Sequence, residues 1–144
     1  MFKRILFVCT GNICRSAMAE GMLRAQLDDS FEVASAGIGA LIGHPADEHA
    51  REILAGQGID IAAHRARQAT TQVLRWADLV LCMEKHHVEE VHRIDPTSRG
   101  KTFLVGHWQD RYEVPDPYRQ GREAFVQTLG ELTDTLATWL PKLR

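Results

Sequence analysis

The chain has 144 residues, of which 44% are hydrophobic and 25% charged, with a formal net charge of -2. One domain spanning residues 1–144 is expected, long enough to bury a core without disulfides or structural metals. The near-neutral balance excludes a dedicated binder of nucleic acid or of anionic membranes.

The opening "MFKRILFVC" sets basic residues before an apolar run of about five residues, too short for a secretory signal or a membrane span. No membrane insertion and a cytoplasmic location are therefore expected. Residues 3–8, "KRILFV", suit a strand buried on both faces, as in a parallel sheet. A helix follows almost at once in "SAMAEGMLRAQLDD" (16–29), with Met18, Met22 and Ala25 at helical spacing and Ser16 in its first turn. "SFEVASAGIGALIGHPAD" alternates apolar and polar residues as far as Ser35 and then turns Gly-rich, predicting a second strand and a long loop. "ADEHAREILAGQGI" (46–59) predicts a helix with acidic residues in its first turn. A short helix is expected at the end of "HRARQATTQVLRWA". "DLVLCME" (78–84) is the second strongly apolar strand, and "KHHVEEVHRID" a helix stopped by Pro96. "KTFLVGHW" (101–108) predicts a fourth strand, and "QDRYEVPDPYRQG" a loop. From Arg122 a last helix carries Phe125, Leu129, Leu132, Leu136, Leu140 and Leu143 as one stripe. Strands alternating with helices predict an α/β fold: a doubly wound, four-stranded parallel sheet flanked by helices.

In such sheets ligands bind at the carboxyl ends of strands, where Cys9 stands. A tight loop between a strand and a helix N-terminus turns backbone N–H groups inward and forms an oxyanion nest. Thr10, Gly11, Asn12, Ile13, Cys14 and Ser16 make up that loop after Cys9. Gly11 lets the backbone approach closely, Asn12 tolerates a left-handed conformation, and Arg15 can hold two equatorial oxygens of a phosphate with its planar fork. The nucleotide-binding G-x-x-x-x-G-K-[ST] pattern lacks its Lys here, and the dinucleotide pattern lacks its later glycines. A thiol at a helix N-terminus beside an arginine is activated as a thiolate, which makes sense inside an anion cradle if Cys9 attacks the bound phosphorus. Displacing an alkoxide or phenoxide needs a general acid. Asp116 in "VPDPY" is the candidate, because two prolines stiffen its loop and a carboxyl beside an anionic substrate keeps its proton more readily. Tyr118 can stack on an aromatic leaving group.

The stretches "VCTGNICRS" and "DPY" resemble the marks of the low-molecular-weight protein tyrosine phosphatases, V-C-x-G-N-x-C-R-S near the N-terminus and D-P-Y near the C-terminus. The similarity extends through "SAG", "HRARQ", "DLVLCMEKHH" and the final helix, and so covers nearly the whole chain. It implies a flavodoxin-like fold, with Cys9 as nucleophile, Arg15 as phosphate and transition-state ligand, and Asp116 as the acid that later activates water. It also implies that Asn12, Ser16, Ser35 and His64 brace the phosphate loop, that Cys14 can form a reversible disulfide with Cys9, and that Ile13, Leu41 and Tyr118 wall the pocket. Arg119 follows D-P-Y where many eukaryotic relatives carry a second tyrosine. That feature and the short substrate loop resemble the bacterial branch associated with exopolysaccharide export, which implies a monomer acting on a tyrosine-phosphorylated protein, a bacterial tyrosine autokinase.

Two relatives in chemistry stand as alternatives. A thiol-coupled arsenate reductase shares the loop but needs further cysteines to pass a disulfide outward, and Cys82 has none in the turns after it. A phosphocysteine carrier would hold its phosphate and have no use for Asp116. Cys82 reads as a small hydrophobe in a buried strand. His86, His87, Glu89, Glu90 and His92 crowd one helix without an H-E-x-x-H pattern and read as a solvated polar face, so no metal and no cofactor are expected.

Overall fold

The structure is a computed structural model that describes residues 2–144. Its centre is the apolar run expected first: Ile5, Leu6, Phe7 and Val8 are fully buried in β1 (Arg4–Cys9). A strand apolar on both faces needs cover on both, and alternate residues enter two cores. Ile5, Phe7 and Cys9 join the side packed by α1 (Arg15–Arg24), α2 (Glu48–Ala55) and α5 (Arg122–Leu143). Leu6 and Val8 join the side packed by α3 (Thr71–Trp76) and α4 (Lys85–Ile94). The remaining strands are β2 (Glu32–Gly37), β3 (Leu79–Cys82) and β4 (Thr102–Leu104). All pairs are parallel in the order β2-β1-β3-β4, which is the doubly wound α/β architecture that the alternation of elements predicts. From β1 the chain moves outward to β2 and then returns across to β3, so the direction of winding reverses between β1 and β3. Ligand crevices open at the carboxyl ends of strands at such a reversal, and Cys9 is the last residue of β1. No helix among the described residues is long and apolar enough to cross a membrane.

Several boundaries differ from the sequence expectation. Helix α1 stops at Arg24 and not near Asp29: the Gln26 N–H already turns back to the Leu23 carbonyl at 2.9 Å, and beyond it Asp28 accepts hydrogen bonds from the Ser30 N–H at 2.8 Å and its hydroxyl, a local turn that competes with helix. Strand β4 is shorter than 101–108. Lys101 ends a 3-10 turn (Pro96–Lys101), and at Gly106 the chain folds back to bridge Tyr112. The α5 stripe is wider than the leucines alone: Thr128, Thr135 and Trp139 are also buried, while Leu129 and Leu140 are only partly so. The threonine hydroxyls return to carbonyls of their own helix, and Trp139 Nε1 donates to the Val105 carbonyl at 2.8 Å. Gly37 closes β2 where a Cβ would stand 2.4 Å from the Thr10 carbonyl oxygen, so only glycine lets β2 run this close to the loop after β1.

The α4 histidines correct the expected polar face. His86 is exposed, but His87 is fully buried. Its Nδ1 accepts the Glu84 N–H at 3.0 Å and caps the start of α4. That leaves the hydrogen on Nε2, 3.0 Å from the Thr10 hydroxyl, so the ring joins two sheet-end loops as a neutral imidazole. The physical reason for the difference is position: His87 falls on the first turn of α4, directly over the carboxyl edge of the sheet. Burial, followed by the nearby Arg15 charge, lowers its pKa from 6.5 to about 3.

Between those two values the unfolded chain carries a proton that the native state lacks, so stability falls as pH drops from about 6.5 toward 3, by up to about 1.4 kcal/mol per pH unit. Urea unfolding at pH 7.5, 6.0 and 5.0 measures this. His87→Gln should flatten the acid limb relative to the parent chain, and parallel pH profiles for the two proteins would refute it.

Candidate active site

Residues 10–14 connect the end of β1 to α1 as a closed loop, and its shape follows from one residue. Asn12 is buried with φ 60°, a conformation that asparagine tolerates better than most side chains. Its amide is then fully used: Nδ2 donates to the Ser16 hydroxyl at 2.8 Å and the Ser35 hydroxyl at 2.9 Å, while Oδ1 accepts the Arg67 N–H at 2.9 Å. The Asn12 carbonyl accepts from His64 Nε2 at 2.6 Å. Ser35 passes its own hydrogen to Glu20 at 2.6 Å. Because Ser16 Oγ accepts from Asn12, its O–H remains to donate to Cys9 Sγ, 2.8 Å away. Ser35 and His64 thus both hydrogen-bond to Asn12, one through its side chain and the other through its carbonyl.

Arg15 begins α1 and is almost wholly buried, at 1% exposure. One terminal nitrogen donates to Glu84 at 2.5 Å and to the Val114 carbonyl at 2.8 Å. The other lies 3.8 Å from an Asp116 carboxylate oxygen. Nε is buried with no hydrogen-bond partner. A buried unsatisfied guanidinium N–H costs free energy unless a ligand supplies the acceptor, and an oxyanion held by Nε and the second terminal nitrogen satisfies that edge. Burial alone would raise the Glu84 pKa, but the Arg15 hydrogen bond and charge outweigh it and keep that carboxyl below its usual range.

Above the loop is a cavity of about 180 Å³ lined by Cys9, Arg15, Asp116 and an apolar collar of Ile13, Leu41 and Tyr118, with Thr10, Gly11 and Cys14 also contributing. Leu41 reaches the rim because its N–H donates to the Gly11 carbonyl at 3.1 Å. Asp116 is turned by its own loop: Oδ1 accepts the Tyr118 N–H at 3.0 Å across Pro117. A larger groove of about 630 Å³ lies behind the loop, against Glu20, Ser35 and His64. It touches the bracing residues and contains no nucleophile.

All three cysteines are free and buried. The Cys14 thiol is held protonated by burial, then by its acidic neighbours, Asp47 foremost. Cys82 is also driven up, by burial. It packs in the core on the α3 and α4 face, whereas Cys9 and Cys14 belong to the other, so no thiol relay from the loop runs through it. Glu84, His86 and His87 bring ligand atoms within 4.8 Å of one another, but Glu84 is paired to Arg15 and both His87 nitrogens are engaged.

Glu84, His87 and Glu20 are site residues that sequence reasoning did not pick out. Glu84 had a partial signal, an acidic side chain just past the apolar run "LVLC", but that this strand lies beside the one carrying Cys9 is known only from the structure. Glu20 and His87 had none, since each is one charged or polar position among several on a helix.

The low molecular weight phosphotyrosine protein phosphatase family model matches residues 4–144. The protein-tyrosine-phosphatase Etp of Escherichia coli K12 is 42% identical over 142 residues, covering 99% of this chain and 95% of that one. The structure of the tyrosine phosphatase Wzb from Escherichia coli K30 in complex with sulphate is 45% identical, with a TM-score of 0.95 and full coverage of both chains. Wzb of Vibrio vulnificus in complex with benzylphosphonate is 42% identical, with a TM-score of 0.94 over 99% of each chain. A shared fold alone would not fix the activity, but identity at this level over the whole length, with the cysteine loop and its arginine in place, does: the chain belongs to the low molecular weight phosphotyrosine protein phosphatase family and is a protein-tyrosine phosphatase.

Proposed function

We propose that the protein hydrolyses phosphotyrosine in two steps through a phosphocysteine intermediate. The observation that carries this mechanism is the open edge of Arg15, a buried guanidinium with one unpartnered N–H beside Cys9 in a cavity sized for a phosphorylated ring. In the first step Cys9 Sγ attacks phosphorus as the phenoxide leaves, and Asp116 donates the proton that the phenoxide takes up. Arg15 and the backbone N–H groups of the loop bind the three equatorial oxygens, where charge is held in the transition state. In the second step Asp116, now a carboxylate, takes a proton from water as its oxygen attacks phosphorus. The S–P bond breaks, and the Ser16 hydroxyl stabilises the departing thiolate. Asn12, Ser35, His64 and Glu20 keep that hydroxyl pointed at sulfur.

The collar of Ile13, Leu41 and Tyr118 fits the flat apolar face of a tyrosine ring, and benzylphosphonate in the Vibrio vulnificus relative is a ligand of that shape. Following the resemblance to the bacterial exopolysaccharide branch, the substrate is a tyrosine-phosphorylated protein, a tyrosine autokinase of the cytoplasm, and the enzyme acts as a single-domain monomer without a metal or other cofactor. Cys14 lines the same cavity as Cys9 and supplies the partner for a reversible disulfide that shields the nucleophile from further oxidation.

Cys9→Ser should abolish p-nitrophenyl phosphate turnover, and retained hydrolysis would overturn the covalent mechanism. With Asp116→Ala, kcat should fall far more for phenyl phosphate than for p-nitrophenyl phosphate, since only the poorer leaving group needs a proton. An equal loss on both would remove Asp116 from the acid's role. The same two variants serve as traps in extract of the source cell: a tyrosine-phosphorylated kinase should be retained and released by vanadate, and capture of other phosphoproteins in its place would redirect the pathway.

A further inference from the structure

The wall of the catalytic pocket ends in a residue that the chemistry above does not use. Arg119 is exposed, with φ 61°, in the third position of a turn closed by the Gln120 N–H on the Pro117 carbonyl at 2.9 Å. Turns that need a positive φ at that position favour glycine, and a side chain carrying a Cβ is strained there. The arginine is nevertheless oriented, its guanidinium carbon lying 5.1 Å from the centroid of the Tyr118 ring. Tyr118 lines the pocket and Arg119 does not, so the cation stands against the pocket wall, outside the place of the reacting phosphate. None of the ion pairs among the described residues involves Arg119. The carboxylates that precede it are committed: Glu113 accepts the Lys85 N–H at 2.7 Å, and Asp116 accepts the Tyr118 N–H and faces Arg15.

We propose that Arg119 is a specificity-determining residue whose guanidinium recognises an acidic side chain next to the phosphotyrosine of a peptide segment. This rests on the phosphotyrosine function above. When a phosphotyrosine ring fills the collar of Leu41 and Tyr118, its sequence neighbours lie at the rim, within side-chain reach of a cation stacked on Tyr118. Unpaired in the free enzyme and already oriented by the ring, the guanidinium gives up no internal salt bridge when it meets a carboxylate. The contact is made with parts of the substrate that do not react, so it lowers KM and leaves kcat alone.

The test compares two phosphotyrosine peptides that differ only in flanking Glu or Lys, with kcat and KM measured at low salt and at about 0.5 M salt. The parent enzyme should show a KM roughly two- to fivefold lower for the Glu-flanked peptide, a preference that shrinks in high salt. Arg119→Gly should erase the preference and Arg119→Glu should invert it, with kcat on both peptides and p-nitrophenyl phosphate hydrolysis unchanged. Thermal melting should show Arg119→Gly at least as stable as the parent, because glycine relieves the turn. A preference that survives Arg119→Gly, or that salt does not affect, overturns the proposal and leaves the phosphatase function standing. Failure of the parent enzyme on both peptides while it still hydrolyses p-nitrophenyl phosphate overturns the phosphotyrosine function and the proposal together.

Discussion

A buried arginine is the constraint on which the site depends. Taking a guanidinium out of water costs several kcal/mol unless it is paired and its hydrogen bonds are met. Arg15 is met from three directions: Glu84 at the start of α4, two residues past β3, the Val114 carbonyl from the long loop after β4, and Asp116 two residues further along that loop. Those partners lie 69, 99 and 101 residues away in sequence. Each can reach Arg15 only because β3 pairs with β1 in parallel, ending Val8 opposite Cys82. The edge of the fork without a hydrogen bond is Nε and the terminal nitrogen that lies 3.8 Å from Asp116, and Arg15 lines the cavity together with Cys9. In the proposed mechanism that edge receives the oxygens of the substrate's phosphate.

The loop between β1 and α1 is held by a second arrangement of opposite character, uncharged at its centre. Asn12 takes the left-handed conformation that bends the loop, and its amide fixes the direction of every hydrogen bond around it. Arg67 N–H on Oδ1 forces Nδ2 toward Ser16 and Ser35, Ser35 unloads its hydrogen on Glu20, and Ser16 directs its own at the sulfur. His64 fastens the Asn12 carbonyl from the far side, and His87 fastens Thr10. A network with all its members satisfied is rigid, and rigidity matters here because donors aimed at a developing charge stabilise it only if they need not reorganise.

Much of this was legible in the order of residues. The Cys9–Ser16 stretch lies between a strand apolar on both faces and a helix, and that context, more than the spacing of cysteine and arginine, predicts an anion nest. Asp116 stands out in the sequence through its two prolines, and the structure sets its carboxylate 3.8 Å from Arg15 in the lining of the same cavity. Other features were hidden for physical reasons. His87 looks like its neighbour His86 until the pitch of α4 turns one to solvent and the other into the sheet edge. Leucine periodicity found α5 but not its full width, since threonines can enter a core by returning their hydroxyls to the helix backbone. The length of β4 was overestimated because Gly106 permits a close backbone crossing with Tyr112 that hydropathy does not register.

The sequence by itself determined the local chemistry: which thiol stands at a strand end, which loop can bend through a left-handed asparagine, and which carboxyl is stiffened by prolines. These are properties of neighbouring residues and of backbone sterics, and they survive without knowledge of the fold. Only the tertiary structure decided which carboxylate holds Arg15, that Glu20 orients the serine beneath the loop, and that the cation of Arg119 rests on the pocket wall. Those are contacts made across strand pairings and long loops, and their partners are chosen by the register of the sheet, which no local pattern encodes.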